Sequence, residues 1–256
     1  MNDSSQKEIS IIIPAYNEEK RISKVLDEIS NYIHSNNLNW EIIVSIDGND
    51  KTDEIVKEFS KRFNFIKYDK KSGRNGKGKS IKRVLPKVNG KFIIMMDADN
   101  SIHFDEIKKS FHLMEKYDVI LFNRYSNDEN YIPLVRRIAS RGFNMLVQAF
   151  LRLNIRDTKC GYKIIRSDLM KKAFEQITIT NGSFDIALLY YLKKMNASII
   201  EINVKYSHDI QSKFNVVADA LANGITLFGF MIRHSRFYKY VPEWARDLYY
   251  RKFRWI

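Results

Sequence analysis

The feature that most constrains this chain is an alternation, through its first half, of short β-rich apolar runs with stretches of helical spacing. Ile9 to Ile13 is such a run, stopped by Pro14, and from Ile22 the apolar residues Val25, Leu26, Ile29, Tyr32 and Ile33 recur at helical intervals. Trp40 to Ile46 repeats the strand, and Ile55, Val56, Phe59 and Phe63 repeat the helix. Phe65 to Tyr68 predicts a short third strand, Ile81, Val84, Leu85 and Val88 a third helix, and Phe92 to Met96 a fourth strand. Units of this length are βαβ crossovers, so the expected fold is α/β, with a doubly wound, mostly parallel sheet and helices on both faces. Ligands of such sheets collect beyond the carboxyl ends of the strands. Three of those ends are polar and turn-rich here: residues 14–18, 47–50 and 97–101.

The third of these ends carries the clearest chemistry. The apolar run Phe92 to Met96 reads as a strand buried on both faces, and it stops at Asp97-Ala98-Asp99. Side chains in extended chain alternate with period two, so both carboxylates can face one divalent cation. The alternative is an Asp-rich turn that ends a strand and caps the next helix.

The length of 256 residues suits one α/β domain with an appendage. A formal charge of +13 favours anionic partners: nucleotides, nucleic acid or an acidic membrane surface. Cys160 is the only cysteine, which excludes an intramolecular disulfide and fits a reducing compartment. The first ten residues lack the apolar core of a signal peptide. Val216 to Ile232 is the longest weakly polar stretch, but it contains Asp219 and Asn223 and is short for a bilayer span.

Beyond a helix marked by Ile107, Phe111 and Met114 and a strand over Val119 to Phe122, the pattern changes. Leu134 to Leu153 predicts a long helix, within about 133–155, that carries Arg136, Arg137 and Arg141. A buried helix tolerates few arginines, so one face is expected to meet something anionic or amphiphilic. Thr158 to Arg166 reads as a strand, Phe184 to Met195 as a helix and Ile199 to Val204 as a strand. Residues 233–256 mix seven Lys or Arg with eight aromatics, a composition suited to a membrane interface with anionic headgroups. A helix packed on the body with a solvated basic tail is the alternative. The expected division is therefore an α/β domain over 1–213 and an amphipathic, membrane-associating segment over 214–256.

Gly73 to Ser80, GRNGKGKS, also satisfies the phosphate-cradling pattern G-x-x-x-x-G-K-S between a strand and a helix. Against a P-loop, the charged run Asp69 to Ser72 separates it from its strand, and Pro14 to Glu18, Asp47 and Asp99 are left without roles. Ten Lys or Arg and one acid lie between Lys67 and Lys91, so an anion-facing loop is expected on either reading. Nucleic-acid binding would need base-stacking aromatics among those charges, and only Tyr68 and Phe92 stand at the edges.

Together these segments resemble family 2 glycosyltransferases of the GT-A fold, and within them the branch that makes dolichyl-phosphate sugars. The resemblance rests on Ile11-Ile12-Ile13-Pro14-Ala15-Tyr16-Asn17-Glu18-Glu19, Asp47-Gly48, Asn75-Gly76-Lys77-Gly78-Lys79-Ser80 and Asp97-Ala98-Asp99. Arg156 to Lys163, RDTKCGYK, resembles the R-D-T-Q-C-G-F-K run of the glucosyltransferase branch. Phe184-Asp185 with Leu188-Leu189, and His208 through Ser212-Lys213, extend it, so the likeness spans roughly 9–213. The chain departs from the family at Ile46, where the first Asp of D-D-G is usual, at Ser101, where the mannosyl type often has Gln, and at Ala187, where a Glu is usual. No N-terminal anchor of the eukaryotic kind is visible.

The resemblance implies an inverting transfer of a hexose, glucose favoured, from a nucleotide-sugar to dolichyl or another polyprenyl phosphate. The product would be a lipid-linked donor for N-glycosylation or related glycan assembly, made at the cytoplasmic face of a membrane. It implies Mg²⁺ or Mn²⁺ held by Asp99 and Asp97, which suits hard oxygen ligands. Pro14, Ala15, Tyr16, Glu18 and Asp47 would hold the nucleoside and Lys77 the diphosphate. Arg124, Arg137, Arg141 and Lys213 are candidates for the acceptor phosphate, and Asp185 for a base, a sugar contact or a helix cap. UDP-glucose is the favoured donor, with GDP-mannose, UDP-N-acetylglucosamine and a non-lipid acceptor open. Readings from other classes are a P-loop hydrolase and a non-catalytic, membrane-associated binding module.

Overall fold

The computed structural model describes residues 7–125, 134–179, 181, 183–207, 224 and 227–246, with the side chains of 134–141 and 143 outside the description. Among the described residues seven strands form one sheet: β1 (Lys7–Tyr16), β2 (Trp40–Asp47), β3 (Ile66–Lys71), β4 (Gly90–Met95), β5 (Val119–Asn123), β6 (Lys163–Arg166) and β7 (Ile199–Asn203). Their order is β3-β2-β1-β4-β6-β5-β7. The chain builds outward from β1 through β2 to β3, then returns to the other side of β1 with β4. The switch point of the sheet therefore lies between β1 and β4, and Asp97 and Asp99 follow β4 directly.

Alternation along the strands divides the core into two layers. Ile11, Ile13, Val44 and Ile94 face one cluster with α1 (Ile22–Ser35), α2 (Thr52–Arg62) and α4 (Phe104–Lys108). Ile12, Ile43, Ile93 and Met95 face the other. That second layer holds residues of α3 (Lys77–Val84), the C-terminal part of α5 (Leu134–Leu151), α6 (Ser167–Gln176) and α7 (Phe184–Lys194). Each fully buried Ile contributes about 1.5–3 kcal/mol of transfer free energy, so the central strands dominate the stability of the sheet.

The parallel pairings β1·β2, β1·β4, β2·β3 and β5·β7 agree with the sequence expectation. β6 differs, because it is antiparallel to both of its neighbours. Its register sets Lys163 beside Met95 on one side and Leu121 on the other. The start of β6 thus meets the end of β4 and the middle of β5, towards the carboxyl edge of the sheet.

Several predicted elements have other bounds. The strand expected over Thr158 to Arg166 is confined to Lys163–Arg166. The residues before it turn because side chains draw them elsewhere: Thr158 Oγ1 donates to Asn144 Oδ1 at 2.8 Å, and Glu201 accepts from the N–H groups of Arg156 and Asp157. The sequence does not announce α6, since its buried residues Met170, Ala173 and Phe174 make only a short periodic pattern. β3 runs on to Lys71, because an edge strand carries charge on its exposed positions without cost to the core. Pro86 limits α3, which tightens into a 3₁₀ turn over Leu85–Lys87.

At the amino end of β2 the buried Glu41 accepts from Ser10 Oγ at 2.6 Å, Asn89 N–H at 2.8 Å and Lys67 Nζ at 2.8 Å. Burial raises its proton affinity, but Lys67 and these hydrogen bonds outweigh burial and hold the carboxyl below its ordinary value. A depressed folded value means that the unfolded chain binds the extra proton first. The stabilisation is therefore present above the unfolded value of about 4.3 and is lost as pH falls through the lower folded value. In urea titrations, Glu41→Gln should lower stability near neutrality and flatten the fall of the wild-type curve below about pH 4.3. An unchanged acid limb would show that Glu41 does not carry it.

Candidate active site

The first two polar strand ends are tied to each other by hydrogen bonds, and Lys77, at the start of α3, reaches the third. Asn17, at φ 54°, ends the β1 loop, and its Oδ1 accepts from Asn49 N–H at 3.1 Å. Thr52 Oγ1 accepts from Glu18 N–H at 2.8 Å, Asp50 accepts from Glu19 N–H at 3.1 Å, and Gly48 N–H donates to Gly73 C=O at 3.0 Å. Gly48 has φ +98°, and a Cβ there would lie 2.1 Å from Asn17 Oδ1, so both conformation and space demand glycine. Pro14 and the buried Ala15 are the two residues before the end of β1 at Tyr16, which is exposed with the Arg74 guanidinium 5.7 Å from its ring centroid. Glu18 forms a fork with Arg21 at 2.7 and 2.8 Å.

Asp47 is buried and held from α3 and the preceding loop, accepting from Ser80 Oγ at 2.5 Å, Arg83 Nη1 at 3.0 Å and Asn75 Nδ2 at 3.3 Å. Its carboxylate fixes α3 against β2, and α3 begins with Lys77. Lys77 Nζ forms an ion pair with Asp97 Oδ1. The lysine of the P-loop pattern, Lys79, is exposed instead, and its serine, Ser80, is occupied by Asp47. The GRNGKGKS stretch therefore points a different lysine at the carboxylate pair than a P-loop would.

Asp99 Oδ1 accepts from Ser101 N–H at 3.0 Å and lies 3.5 Å from the Tyr162 hydroxyl, which also donates to Asp97 C=O at 3.3 Å. Gly161 packs on Asp97 so closely that a Cβ would come to 1.9 Å from Oδ2. Lys163 Nζ, fully buried, donates to Asp185 Oδ1 at 2.6 Å and to Cys160 C=O. Arg124 is forked onto Asp157 at 2.8 and 3.0 Å. The segment 157–163 thus lines the edge of the Asp97 site, positioned by the antiparallel register of β6.

This clustering of charge shifts the proton affinities. Burial opposes ionisation of Asp97, but Lys77, Lys163 and Arg124 outweigh it and hold the carboxyl below its usual range. Burial likewise opposes the charge of Lys77, and Asp97 and Asp185 overcome it and raise the amine above its ordinary value. Lys159 moves the other way, lowered first by burial and then by Lys163, Lys77 and Arg124, against the attraction of Asp185. Burial pushes the Cys160 thiol up to about 12, so it is neutral and unreactive.

Of the residues singled out from the sequence, Lys77, Asp97, Asp99 and Asp185 are brought to one cluster, with Arg124 at its edge. Asp47 stands behind it as the anchor of α3. Asp185, in the first turn of α7, is the partner of a buried lysine. Arg137 and Arg141 lie on α5, but their side chains, and the whole of Lys213, are outside the described residues. The functional roles of Gly161, Tyr162 and Lys163 are not legible in the sequence, where they stand only as letters of the RDTKCGYK run. Away from this cluster, a cavity of about 450 Å³, lined by Lys91, Phe92, Asp118, Arg166 and Asp168, lies at the amino end of β4, where Arg166 is engaged by Asp118 and Asp168.

Asp97 and Asp99 offer hard carboxylate oxygens that fit Mg²⁺ or Mn²⁺. Among the described residues no group of three or more acidic, His or Cys side chains could hold a metal ion. Such a pair leaves coordination positions for phosphate oxygens and water, as expected where a cation binds with a nucleotide.

A carboxylate pair and a basic cluster thus stand together at the switch point of a doubly wound sheet. The chain belongs to glycosyl transferase family 2, whose sequence pattern matches residues 10–174. It is 30% identical to a dolichyl-phosphate beta-glucosyltransferase of Trichomonas vaginalis over 84% of this chain and 70% of that protein. It is 26% identical to the human protein of that name over 82% and 71%. Among solved structures it resembles glucosyl-3-phosphoglycerate synthase of Mycobacterium tuberculosis in complex with UDP, with TM-score 0.66 and 17% identity over 89% of this chain and 80% of that one. The same enzyme with Mn²⁺, UDP-glucose and glycerol 3-phosphate gives TM-score 0.66 and 15% identity over 93% and 82%. At these identities the structural likeness establishes the fold.

Gly161→Ala tests the packing of the site. Its methyl group has to displace the Asp97 carboxylate, and transferase activity should fall on the order of 100-fold. The melting temperature should move little if the shift stays local. Full activity would show that Asp97 has room to spare.

Proposed function

We propose that the protein transfers glucose from UDP-glucose to dolichyl phosphate or a related polyprenyl phosphate, with inversion at the anomeric carbon. The observation that carries this reading is the convergence of Lys77, Asp97 and Asp99 beyond β4, in a chain whose curated relatives are named dolichyl-phosphate beta-glucosyltransferases. Breaking the bond between sugar C1 and phosphate leaves negative charge on the departing nucleoside diphosphate. A bound Mg²⁺ or Mn²⁺ at Asp97 and Asp99 would supply compensating positive charge there. Lys77 adds a further cation on the same side, and the loops at 14–18 and 47–50 bind the nucleoside beside it. The mycobacterial enzyme, crystallised with Mn²⁺ and UDP-glucose, supports this choice of donor and cation class.

A phosphate monoester is already ionised near neutral pH, so the acceptor needs no strong base to become a nucleophile. Asp185 accordingly acts by fixing Lys163 and lending its charge to Lys77, rather than by taking a proton. Arg124, held by Asp157 and flanked by Tyr125 and Tyr206 at 5.5 and 5.4 Å, sits at the rim where the acceptor phosphate would enter. Arg137, Arg141 and Lys213 are further candidates for that phosphate.

The acceptor is a lipid, and we place the enzyme at the cytoplasmic face of a membrane through its C-terminal segment. No helix among the described residues is long and apolar enough to cross a bilayer. Phe237, Tyr240 and Trp244 are exposed, as are Met145 and Leu146 of α5, and Phe150 of α5 meets both Phe228 and Phe237. Arg236 and Lys239 lie over the Phe237 and Tyr240 rings at 5.0 and 4.8 Å, which pairs basic charge with apolar surface as an anionic interface requires.

Purified protein given Mn²⁺, dolichyl phosphate and one nucleotide-sugar at a time should form glycolipid from UDP-glucose in preference to GDP-mannose or UDP-N-acetylglucosamine. Asp99→Ala should abolish that product. Product from GDP-mannose alone would replace the donor assignment, and undiminished turnover by Asp99→Ala would remove the cation site. In flotation with vesicles containing anionic lipid, Tyr240→Ala combined with Trp244→Ala should reduce the bound fraction severalfold. Equal binding would place membrane contact elsewhere.

A further inference from the structure

Asp97 does not offer both of its oxygens to a metal ion as it stands. Oδ1 is paired with the ammonium of Lys77, and Oδ2 lies in the space that Gly161 leaves by lacking a Cβ. Asp99, by contrast, accepts from neutral donors, the Ser101 N–H and the Tyr162 hydroxyl. The two lysines of the cluster also differ. Lys163 is fully buried between Asp185 and the Cys160 carbonyl, whereas the side chains of Lys77 and Asp97 are 25% and 32% exposed. Lys77 therefore stands at the mouth of the site, on a flexible four-carbon stem, and can move.

We propose that Lys77 is a resident counter-ion that occupies the cation seat at Asp97 in the empty enzyme and yields it when a nucleoside diphosphate arrives. The cation and the diphosphate then bind synergistically, and Lys77 adds to the synergy that their direct coordination supplies. This inference rests on the reading of Asp97 as a metal ligand given above. An ammonium and a divalent ion at one carboxylate oxygen repel each other, so metal alone has to displace the lysine into a site that holds Lys159, Lys163 and Arg124 nearby. A diphosphate gives the ammonium another anionic partner and so releases Asp97. Linkage requires that the factor by which UDP tightens the metal equals the factor by which the metal tightens UDP.

The test is titration of the full chain with Mn²⁺, with and without UDP, reading free Mn²⁺ by electron paramagnetic resonance. The wild type should bind Mn²⁺ weakly alone and much more tightly with UDP. Lys77→Met should bind Mn²⁺ alone more tightly, on the order of tenfold, and gain correspondingly less from UDP, keeping the part of the gain that direct coordination of the diphosphate supplies. Lys77→Arg, which keeps the charge, should resemble the wild type, and Lys77→Gln serves in place of Lys77→Met should that variant fail to fold by circular dichroism. The proposal is overturned if the neutral variant binds Mn²⁺ alone no better than the wild type, or keeps the full gain from UDP. Asp97→Asn, made with and without Lys77→Met, separates the two readings. If it leaves Mn²⁺ binding unchanged in both backgrounds, Asp97 is not a ligand and both readings fail. If it weakens binding while Lys77→Met changes nothing, the metal site stands and the counter-ion proposal alone fails.

Discussion

The antiparallel insertion of β6 between β4 and β5 is the constraint on which the site depends. A sheet wound only from parallel βαβ units would place α-helical crossovers between neighbouring strand ends. Here the register Met95, Lys163, Leu121 lays the start of one strand against the end of β4 and the middle of β5. Residues far apart in sequence are thereby delivered to one place: Asp97 and Asp99 after β4, Arg124 after β5, and Gly161 to Lys163 on entry to β6. The buried pairs Arg124 with Asp157 and Lys163 with Asp185 then fix that edge. Breaking either by removing one partner strands a charge in the core, a loss of about 3–5 kcal/mol for pairs of this kind.

Function follows from the balance of charge in this cluster. Lysines and an arginine press on Asp97 from several elements, which keeps it ionised despite burial. A site so charged is suited to an anion that arrives with its own cation, and a nucleoside diphosphate is such a ligand. On the proposed reaction the acceptor phosphate is already ionised, so little is asked of a base, and the groups nearest to Asp97 would act on the charge of the departing diphosphate.

Much of this is legible in the sequence, for identifiable reasons. The central strands are long apolar runs, so β1, β2 and β4 announce themselves, and a carboxylate pair straight after a buried strand can only lie at a sheet edge. The orientation of β6 is not legible, because four residues carry no signature of parallel or antiparallel pairing. Without that orientation the RDTKCGYK run is a matched string with no location. The closeness of Gly161 to Asp97 and the engagement of Asp47 by Ser80 and Arg83 are tertiary facts with no local pattern. The sequence marks Lys77 as a phosphate ligand, but its ion pair with Asp97 depends on the angle at which α3 leaves the sheet.

Whether Asp97 and Asp99 hold the cation that accompanies the nucleoside diphosphate is decided by a crystal of the protein grown with Mn²⁺ and UDP and measured for anomalous scattering. A manganese peak bonded to carboxylate oxygen of both residues and to the diphosphate is expected. A peak at other side chains, or UDP bound with no metal near Asp97 and Asp99, would contradict it.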